Sequence, residues 1–277
     1  MDDTLKFINE KYLIIAELNH GEFGRVFKAK HRLSNNDVVI KVEKKSTNSL
    51  LLYETKLYNY LKNYSYISKV RNFYNDNINN ILIIDYNGDT IYDIKNCLNI
   101  FNVREKIYFI NNLITNIINS LEELHNLKYI HRDVKPQNFC YNKSIKVIDL
   151  GFCKPYIVNN KHIENIKLKK IIGTSNYISN NIVHLNNPSR RDDIESIFYI
   201  YLFLLMPNEL WKKYSTLDIH QKKNILFLNE LLNNLNNDFY NNEINIDNLK
   251  TFLLTIRNTK FHESPQYNIF KTLIKSV

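Results

Sequence analysis

The sequence has little cysteine and no apolar run long enough to cross a membrane. Its three cysteines, Cys97, Cys140 and Cys153, form no Cys-x-x-Cys pair. An odd number of cysteines without metal-ligand spacing predicts reduced thiols. The most apolar stretch, residues 197–206, is too short to span a bilayer and predicts a buried helix. The first residues also lack the basic and then apolar pattern of a secretion signal, so we expect an intracellular, reducing compartment, either the cytoplasm or the nucleus.

Dense basic runs are also missing, although the chain carries a formal net charge of +9. A positive balance favours acidic partners, such as nucleic acid, anionic lipid or an acidic protein segment. Because the charges are scattered, they favour a solvated positive surface, and nucleic-acid binding stays open as a secondary property. The 277 residues are 44% hydrophobic, which predicts a folded globule, built as one two-lobed domain or as two small domains.

One polar segment carries the groups that phosphoryl transfer requires. Positions 131–138 read His-Arg-Asp-Val-Lys-Pro-Gln-Asn, and Asp-Leu-Gly follows at 149–151 after a predicted strand at 144–148. A carboxylate orients the accepting hydroxyl, a cation steadies the moving phosphoryl group, and two oxygen ligands hold magnesium. These groups are supplied by Asp133, Lys135, Asn138 and Asp149. The order and spacing closely resemble the catalytic loop and metal-binding turn of protein kinases.

Two further segments extend this resemblance. An apolar strand at 38–41 ends on Lys41, as in the Val-Ala-Ile-Lys pattern of protein kinases. Glu54 lies among apolar residues at helical spacing in 50–61, where an unpaired carboxylate would be costly. Lys41 is its natural partner, and the pair would hold the lysine against the α- and β-phosphates.

A glycine turn near the start is incomplete as a phosphate-binding motif. Positions 19–26 read Asn-His-Gly-Glu-Phe-Gly-Arg-Val, so two glycines of Gly-x-Gly-x-x-Gly are present, with Asn19 at the first position. Asn tolerates positive φ well, so we expect the turn to persist. Its tip would lie over phosphates, because glycine lets backbone amides approach closely. Taken alone, the motif also fits an ordinary hairpin.

The resemblance implies an adenine pocket beside a hinge. An apolar strand at 80–84 leads to Asp-Tyr-Asn-Gly at 85–88, the hinge by position. Ile84 would lie at the back of the pocket, with apolar side chains sandwiching the ring. The residues expected to contact the nucleotide are Leu18, Asn19, His20, Gly21, Glu22, Phe23, Gly24, Arg25, Val26, Val39, Lys41, Glu54, Ile84, Asp85, Tyr86 and Cys140.

The activation segment, residues 152–172, contains Tyr156 but neither Ser nor Thr. A phosphate switch would need an acceptor there. We therefore predict that activity does not depend on phosphorylation of a Ser or Thr in this segment. A basic cluster in this segment either contacts acidic substrates or belongs to a solvated loop, and it consists of Lys161, Lys167, Lys169 and Lys170.

Two later segments restrict the resemblance to one group of protein kinases. Positions 173–177 read Gly-Thr-Ser-Asn-Tyr, positions 189–196 read Ser-Arg-Arg-Asp-Asp-Ile-Glu-Ser, and Ala-Pro-Glu is missing. These features are similar to the casein kinase I family, which is related to the vaccinia-related kinases. The family's basic residue is replaced by Asn176, so we do not carry over its preference for already phosphorylated substrates.

The casein kinase I resemblance implies specific contacts. Thr174 would bond to Asp133 and Lys135, and Asp193 would cap the backbone of the catalytic loop. The lysine two positions after the catalytic aspartate is typical of Ser/Thr kinases. Helices are expected at 104–127, 217–240 and 246–260, with a short turn at 207–211.

These motifs predict an α+β fold of the two-lobed protein kinase type. One domain would cover residues 1–277, with a small β-rich lobe of about 1–87 holding one key helix, and a larger helical lobe of about 88–277. The implied activity is transfer of the γ-phosphate of ATP, with Mg²⁺, to protein Ser or Thr hydroxyls, by a monomer. The catalytic set is Asp133, Lys135, Asn138 and Thr174, and the metal ligands are Asn138 and Asp149.

Two alternatives stay open. A pseudokinase scaffold is favoured only by the missing first glycine and by Leu150, which stands where the kinase turn has Phe. A small-molecule phosphotransferase of kinase-like fold is disfavoured by Lys135 and by the Gly-Thr segment.

Overall fold

The computed structural model describes residues 8, 10–21, 24–47, 49–76 and 78–276. The chain forms two compact units. The first extends to Gly88 and also includes Lys146–Phe152, while the second consists of Asp89–Ile145 and the chain from Cys153 onward. Residues 146–152, from the middle of the sequence, therefore belong to the first unit, and this returning segment contains the Asp-Leu-Gly turn.

The first unit is built on a five-stranded antiparallel sheet. Across the sheet the strands follow the order β1-β2-β3-β5-β4, so β3 lies at the centre. Runs of Val and Ile in β3 and β5 suit interior strands, where branched side chains pack well on a pleated surface. The strands are β1 (Tyr12–Gly21), β2 (Gly24–His31), β3 (Asp37–Lys44), β4 (Val70–Asn75) and β5 (Asn79–Asp85).

The two faces of this sheet carry different residues, because successive side chains of a strand point to opposite sides. The register pairs Val26 with Lys41 and Val39 with Ile84, so these four residues share one face. The opposite face is closed by a buried apolar cluster of Ile8, Tyr12, Phe27, Ala29, Val38, Ile40, Ile81 and Ile83. The sheet thus presents the lysine together with three apolar residues predicted to contact adenine.

Helix α1 (Leu50–Tyr60) packs against β3, β4 and β5. Ser49 caps it by accepting a hydrogen bond from the N–H of Leu52 at 3.0 Å. The Glu43 carboxylate accepts from the N–H of Leu50 at 3.0 Å, and a negative charge at a helix N-terminus complements the helix dipole. The helix buries Leu51, Glu54, Thr55, Leu57 and Tyr58.

The second unit is mainly helical. Its helices are α2 (Ile91–Ile94), α3 (Val103–Asn126), α4 (Asn180–Val183), α5 (Arg190–Leu205), α6 (Asn208–Thr216), α7 (Ile219–Lys223), α8 (Ile225–Phe239), α9 (Ile246–Asn258) and α10 (Tyr267–Lys275), with 3-10 turns at Lys95–Ile100 and Pro136–Asn138. Its short strands are β6 (Asp89–Thr90), β7 (Tyr129–Ile130), β8 (Phe139–Asn142), β10 (Lys154–Pro155), β11 (Ile157–Val158) and β12 (Lys161–His162), while β9 (Ser144–Val147) runs into the first unit.

Helix α5 is the centre of the second unit. From Asp192 to its end every side chain is buried, and α3 and α9 pack against it. Helix α3 starts with a capping box between Asn102 and Glu105 and turns a stripe of Ile and Leu inward, as its apolar spacing predicts. In the ranges that the structure describes, no helix is both long and apolar enough to cross a membrane.

Two predictions for the second unit, one helix and one turn, are wrong in detail. The stretch 217–240 forms two helices, α7 and α8, which are separated at Asn224. The Asn224 side chain accepts hydrogen bonds from the N–H groups of Leu226 and Phe227 at 2.9 and 3.1 Å, so it starts a new helix in place of continuing the first. The turn expected at 207–211 is instead the beginning of α6, which starts at Asn208.

Candidate active site

The side chains of Lys41 and Glu54 form a buried ion pair in the first unit. Lys41 Nζ lies 2.7 Å from Glu54 Oε1 and donates a second hydrogen bond to the carbonyl oxygen of Ile148 at 2.9 Å. The N–H of Leu150 donates to the same Glu54 oxygen at 3.3 Å. Strand β3, helix α1 and the returning segment therefore meet at the pair that the sequence predicted.

Burial dominates the electrostatics of Glu54. Loss of water raises the pKa of its carboxyl from 4.5 to about 7, and the nearby charge of Asp149 acts in the same direction. Lys41 and the N–H of Leu150 oppose this rise, because both stabilise the ionised carboxylate. The Lys41 ammonium thus has a partner whose charge changes near neutral pH.

The Asp-Leu-Gly turn is anchored within the first unit. The N–H of Gly151 donates to Asp149 Oδ1 at 3.0 Å, and just before the turn the N–H of Val147 donates to the carbonyl oxygen of Tyr66 at 2.7 Å. Leu150 is fully buried. Its replacement of the usual Phe therefore keeps an apolar side chain in the interior of this unit.

The glycine hairpin differs from the sequence expectation at Asn19. This residue pairs with Val26 in the β1–β2 ladder and does not adopt positive φ, so the conformational argument made for it is wrong. Gly24 has φ of +116°, and a Cβ there would lie 2.1 Å from the carbonyl oxygen of Val42. Glycine is therefore required at this position by the close approach of β3.

Other residues assigned to the nucleotide have protein partners for their side chains. The Arg25 guanidinium donates to both carboxylate oxygens of Glu17, at 2.9 and 3.0 Å, and Asp85 is bound by Arg71. The side chains of Arg25 and Asp85 are therefore already engaged within the protein. Two residues of the predicted set lie outside the described ranges, Glu22 and Phe23.

In the second unit, three side chains of the predicted catalytic set form one bonded group. Lys135 Nζ lies 2.7 Å from Asp133 Oδ2. Thr174 Oγ1 donates to Asp133 Oδ1 at 2.8 Å and accepts from Lys135 at 3.3 Å. Both oxygens of the buried Asp133 carboxylate are therefore held, and the contacts that the resemblance implied for Thr174 are present.

Asn138 completes this group from the 3-10 turn. Its Nδ2 donates to the carbonyl oxygen of Asp133 at 2.8 Å and to Asp133 Oδ2 at 3.3 Å. Because the side-chain nitrogen of Asn138 is used in this way, its side-chain oxygen, Oδ1, is the atom that would face a cation. Cys140, which is also buried, follows on β8.

Asp193 holds the backbone that leads to Asp133. Its two carboxylate oxygens accept the N–H groups of His131 and Arg132 at 2.7 and 2.9 Å, where Arg132 has an unusual φ of 69°. Burial acts to raise the pKa of Asp193, but the hydrogen bonds that it accepts from His125 and from the N–H of His131 outweigh it, and the pKa is lowered. The predicted cap of the catalytic loop is thus an ionised carboxylate at the start of α5.

Gly173, just before Thr174, also lies against this loop. It has φ of +95°, and a Cβ there would lie 3.0 Å from the carbonyl oxygen of Arg132 and 2.9 Å from the side chain of Ile178. A side chain at this position would push the threonine away from Asp133. The presence of glycine just before Thr174 therefore has a steric explanation.

Tyr156, the hydroxyl-bearing residue of the activation segment, is buried with 3% exposure. Its O–H donates to the carbonyl oxygen of His125 at 2.8 Å, and the Arg190 guanidinium lies 4.5 Å from the centre of its ring. The lysines of the predicted basic cluster are exposed, and they are Lys161, Lys167, Lys169 and Lys170. Nothing in the sequence around Tyr156 indicates that its side chain is buried.

The segment that replaces Ala-Pro-Glu is held by α5. Ser179 Oγ donates to Asp192 Oδ1 at 2.5 Å, and the N–H of Asn180 donates to Glu195 Oε1 at 3.1 Å. The same Glu195 oxygen lies 3.1 Å from the guanidinium of Arg257 on α9. Sequence reasoning missed this pair, because nothing local links positions so far apart in the chain.

Each unit thus collects part of the predicted site. The sheet unit brings together Lys41, Glu54 and the backbone around Asp149, and the helical unit brings together the predicted catalytic residues. The amide oxygen of Asn138 in the helical unit and the carboxylate of Asp149 in the sheet unit are each hard oxygen donors, the kind of ligand that magnesium prefers.

A sheet unit with a buried lysine–glutamate pair, followed by a helical unit with an Asp-x-Lys loop, defines a phosphotransferase of the protein kinase type. The family model described as the protein kinase domain matches residues 12–268. The chain belongs to this family, and the predicted α+β kinase fold is confirmed.

Proposed function

We propose that this protein kinase domain is an active Ser/Thr kinase of the casein kinase I type. It would transfer the γ-phosphoryl group of ATP to a protein Ser or Thr hydroxyl. The observation that carries the proposal is the bonded group of Asp133, Lys135 and Thr174. A carboxylate held on both oxygens keeps one orientation before a substrate arrives, which lowers the cost of reaching the transition state.

The residues divide the chemistry among them. Asp133 would accept the proton of the substrate hydroxyl while the oxygen of that hydroxyl forms a bond to the γ-phosphorus and the bond to the ADP oxygen breaks. Lys135 would lie against the transferring group and offset its negative charge. Lys41, oriented by Glu54, would bind the α- and β-phosphates.

Asn138 and Asp149 would hold Mg²⁺ through their side-chain oxygens. When bound, this ion neutralises charge on the phosphates of the nucleotide. The apolar face formed by Val26, Val39 and Ile84 would pack against adenine.

Several contacts support the casein kinase I subtype. Thr174 and Asp193 make the bonds that this resemblance implies. The side-chain oxygen of Asn176, which replaces the family's basic residue, accepts a hydrogen bond from Lys222 Nζ at 2.8 Å. This lysine ammonium already has a protein acceptor, so the proposal does not extend to phosphorylated substrates. The exposed lysines of the activation segment favour acidic protein substrates.

The decisive experiment compares phosphate transfer by wild type and Asp133→Ala. The assay uses radiolabelled ATP, Mg²⁺ and an acidic Ser- and Thr-containing protein. Removing the positioned carboxylate should lower the rate at least about a hundredfold. Asp247→Ala is the matched control, because the Asp247 side chain is 93% exposed on α9.

Phosphoamino-acid analysis of the product should show phosphoserine or phosphothreonine. Phosphotyrosine alone would contradict the proposed specificity. Equal incorporation by wild type and Asp133→Ala, together with nucleotide binding by both, would favour the scaffold alternative.

A further inference from the structure

His125, in the last turn of α3, is bonded on both ring nitrogens to residues far along the chain. Its Nδ1 lies 2.7 Å from the hydroxyl oxygen of Tyr267, the first residue of α10. Its Nε2 lies 2.9 Å from Asp193 Oδ2. The exposed fraction of His125 is 1% and that of Asp193 is 2%, so these bonds are shielded from water.

The chemistry of the partners decides where the ring carries its proton. Asp193 is an ionised carboxylate and can only accept, so Nε2 must be the N–H donor. A neutral imidazole then has an acceptor at Nδ1, which suits a phenol O–H. Burial raises the pKa of Tyr267, so its hydroxyl keeps the proton that it donates.

We propose that Tyr267 is a positioning residue for the catalytic loop, acting through His125 and Asp193. By donating to Nδ1, Tyr267 holds the ring in the orientation that presents Nε2–H to the carboxylate. Asp193 in turn holds the N–H groups of His131 and Arg132, which precede Asp133. Helix α10 would thereby set the orientation of the catalytic aspartate.

The first test reads the hydrogen bonds of the His125 ring and of the loop backbone. Tyr267→Phe removes only the hydroxyl, and Tyr240→Phe is the control, because Tyr240 is also buried and its hydroxyl donates to the carbonyl oxygen of Leu205 at 2.6 Å. Ring nitrogen shifts in ¹⁵N-labelled protein should show Nε2–H at His125 in wild type and in the control. In Tyr267→Phe the Nδ1 signal should move to the position of an acceptor without a hydrogen bond, and the backbone amide signals of His131 and Arg132 should shift. A Nδ1–H ring in wild type, or unchanged amide signals of His131 and Arg132 in Tyr267→Phe, would overturn the inference.

The second test is kinetic and rests on the proposed kinase activity. Tyr267→Phe should lower kcat about tenfold with KM for ATP changed less than about twofold, because a shifted loop impairs the reaction more than nucleotide binding. If Tyr267 acts through His125, adding Tyr267→Phe to His125→Gln should cost nothing further. Additive losses would contradict the inference. An inactive wild type would instead count against the proposed function, and the ¹⁵N measurement would still decide the role of Tyr267.

Discussion

Burial and ion pairing shift the pKa of Glu54 in opposite directions. Its side chain is 5% exposed, and burial raises its pKa to about 7 although Lys41 and the N–H of Leu150 stabilise the charge. Near neutral pH a modest change in acidity therefore decides whether Lys41 faces a carboxylate or a neutral acid. The sequence predicted the pair, because a glutamate on an apolar helix face needs a cation. The pKa could not be predicted, since it depends on burial and on Asp149.

We expect kinase activity to fall as the pH is lowered through about 7, because protonated Glu54 no longer holds Lys41 by charge. Glu54→Gln should be less active at every pH and should lack this acid limb. The measurement is kcat/KM against pH for both proteins, with Asp247→Asn as an exposed control that keeps the wild-type profile. If Glu54→Gln still loses activity at low pH as wild type does, the loss would belong to another titrating group.

The same carboxyl should affect stability with a defined sign. Its pKa is higher in the folded protein, about 7, than the ordinary 4.5, so its contribution is present below 4.5 and is lost as the pH rises through about 7. Glu54→Gln, which imitates the protonated group, should therefore gain stability relative to wild type over that interval. Thermal unfolding as a function of pH measures the difference.

At the scale of elements, the β1–β2 hairpin shows that one glycine can have a structural reason apart from nucleotide binding. Gly24 has positive φ and faces the carbonyl oxygen of Val42. Gly24→Ala should therefore destabilise the sheet by more than about 2 kcal/mol. Chemical denaturation measures this, with Lys30→Ala on the same strand as a half-exposed control. A loss below about 0.5 kcal/mol, the range of neutral surface changes, would show that the hairpin relaxes at no cost.

Elements with a strong local pattern were predictable, and their interruptions were not. The apolar spacing of α3 and the Val- and Ile-rich run of β3 predicted those elements within a few residues. The break between α7 and α8 was missed, because several more asparagines follow Asn224 up to Asn237, and any one of them is a candidate cap. Only the hydrogen bonds to Leu226 and Phe227 distinguish it.

For the whole molecule, sequence motifs predicted a catalytic set but only some of the contacts that hold its members. The bonds of Thr174 and Asp193 followed from the family resemblance. The bonds from Tyr267 to His125 and from Arg257 to Glu195 join positions with no shared local pattern, so they emerge only from the folded chain.

We expect the kinase to be active without phosphate on its activation segment. The segment has no Ser or Thr, and Tyr156 is bonded to the carbonyl oxygen of His125. Protein treated with phosphatase, and verified by mass spectrometry, should retain full activity. Loss of activity on removal of phosphate from residues 152–172 would contradict this expectation.

The burial of Tyr156 also determines what a phosphate there would signify. A modifying enzyme needs the phenol extended into its own cleft, which requires the bond to the carbonyl oxygen of His125 and the stacking by Arg190 to break first. Phosphotyrosine at this position in cells would therefore show that this part of the kinase opens locally.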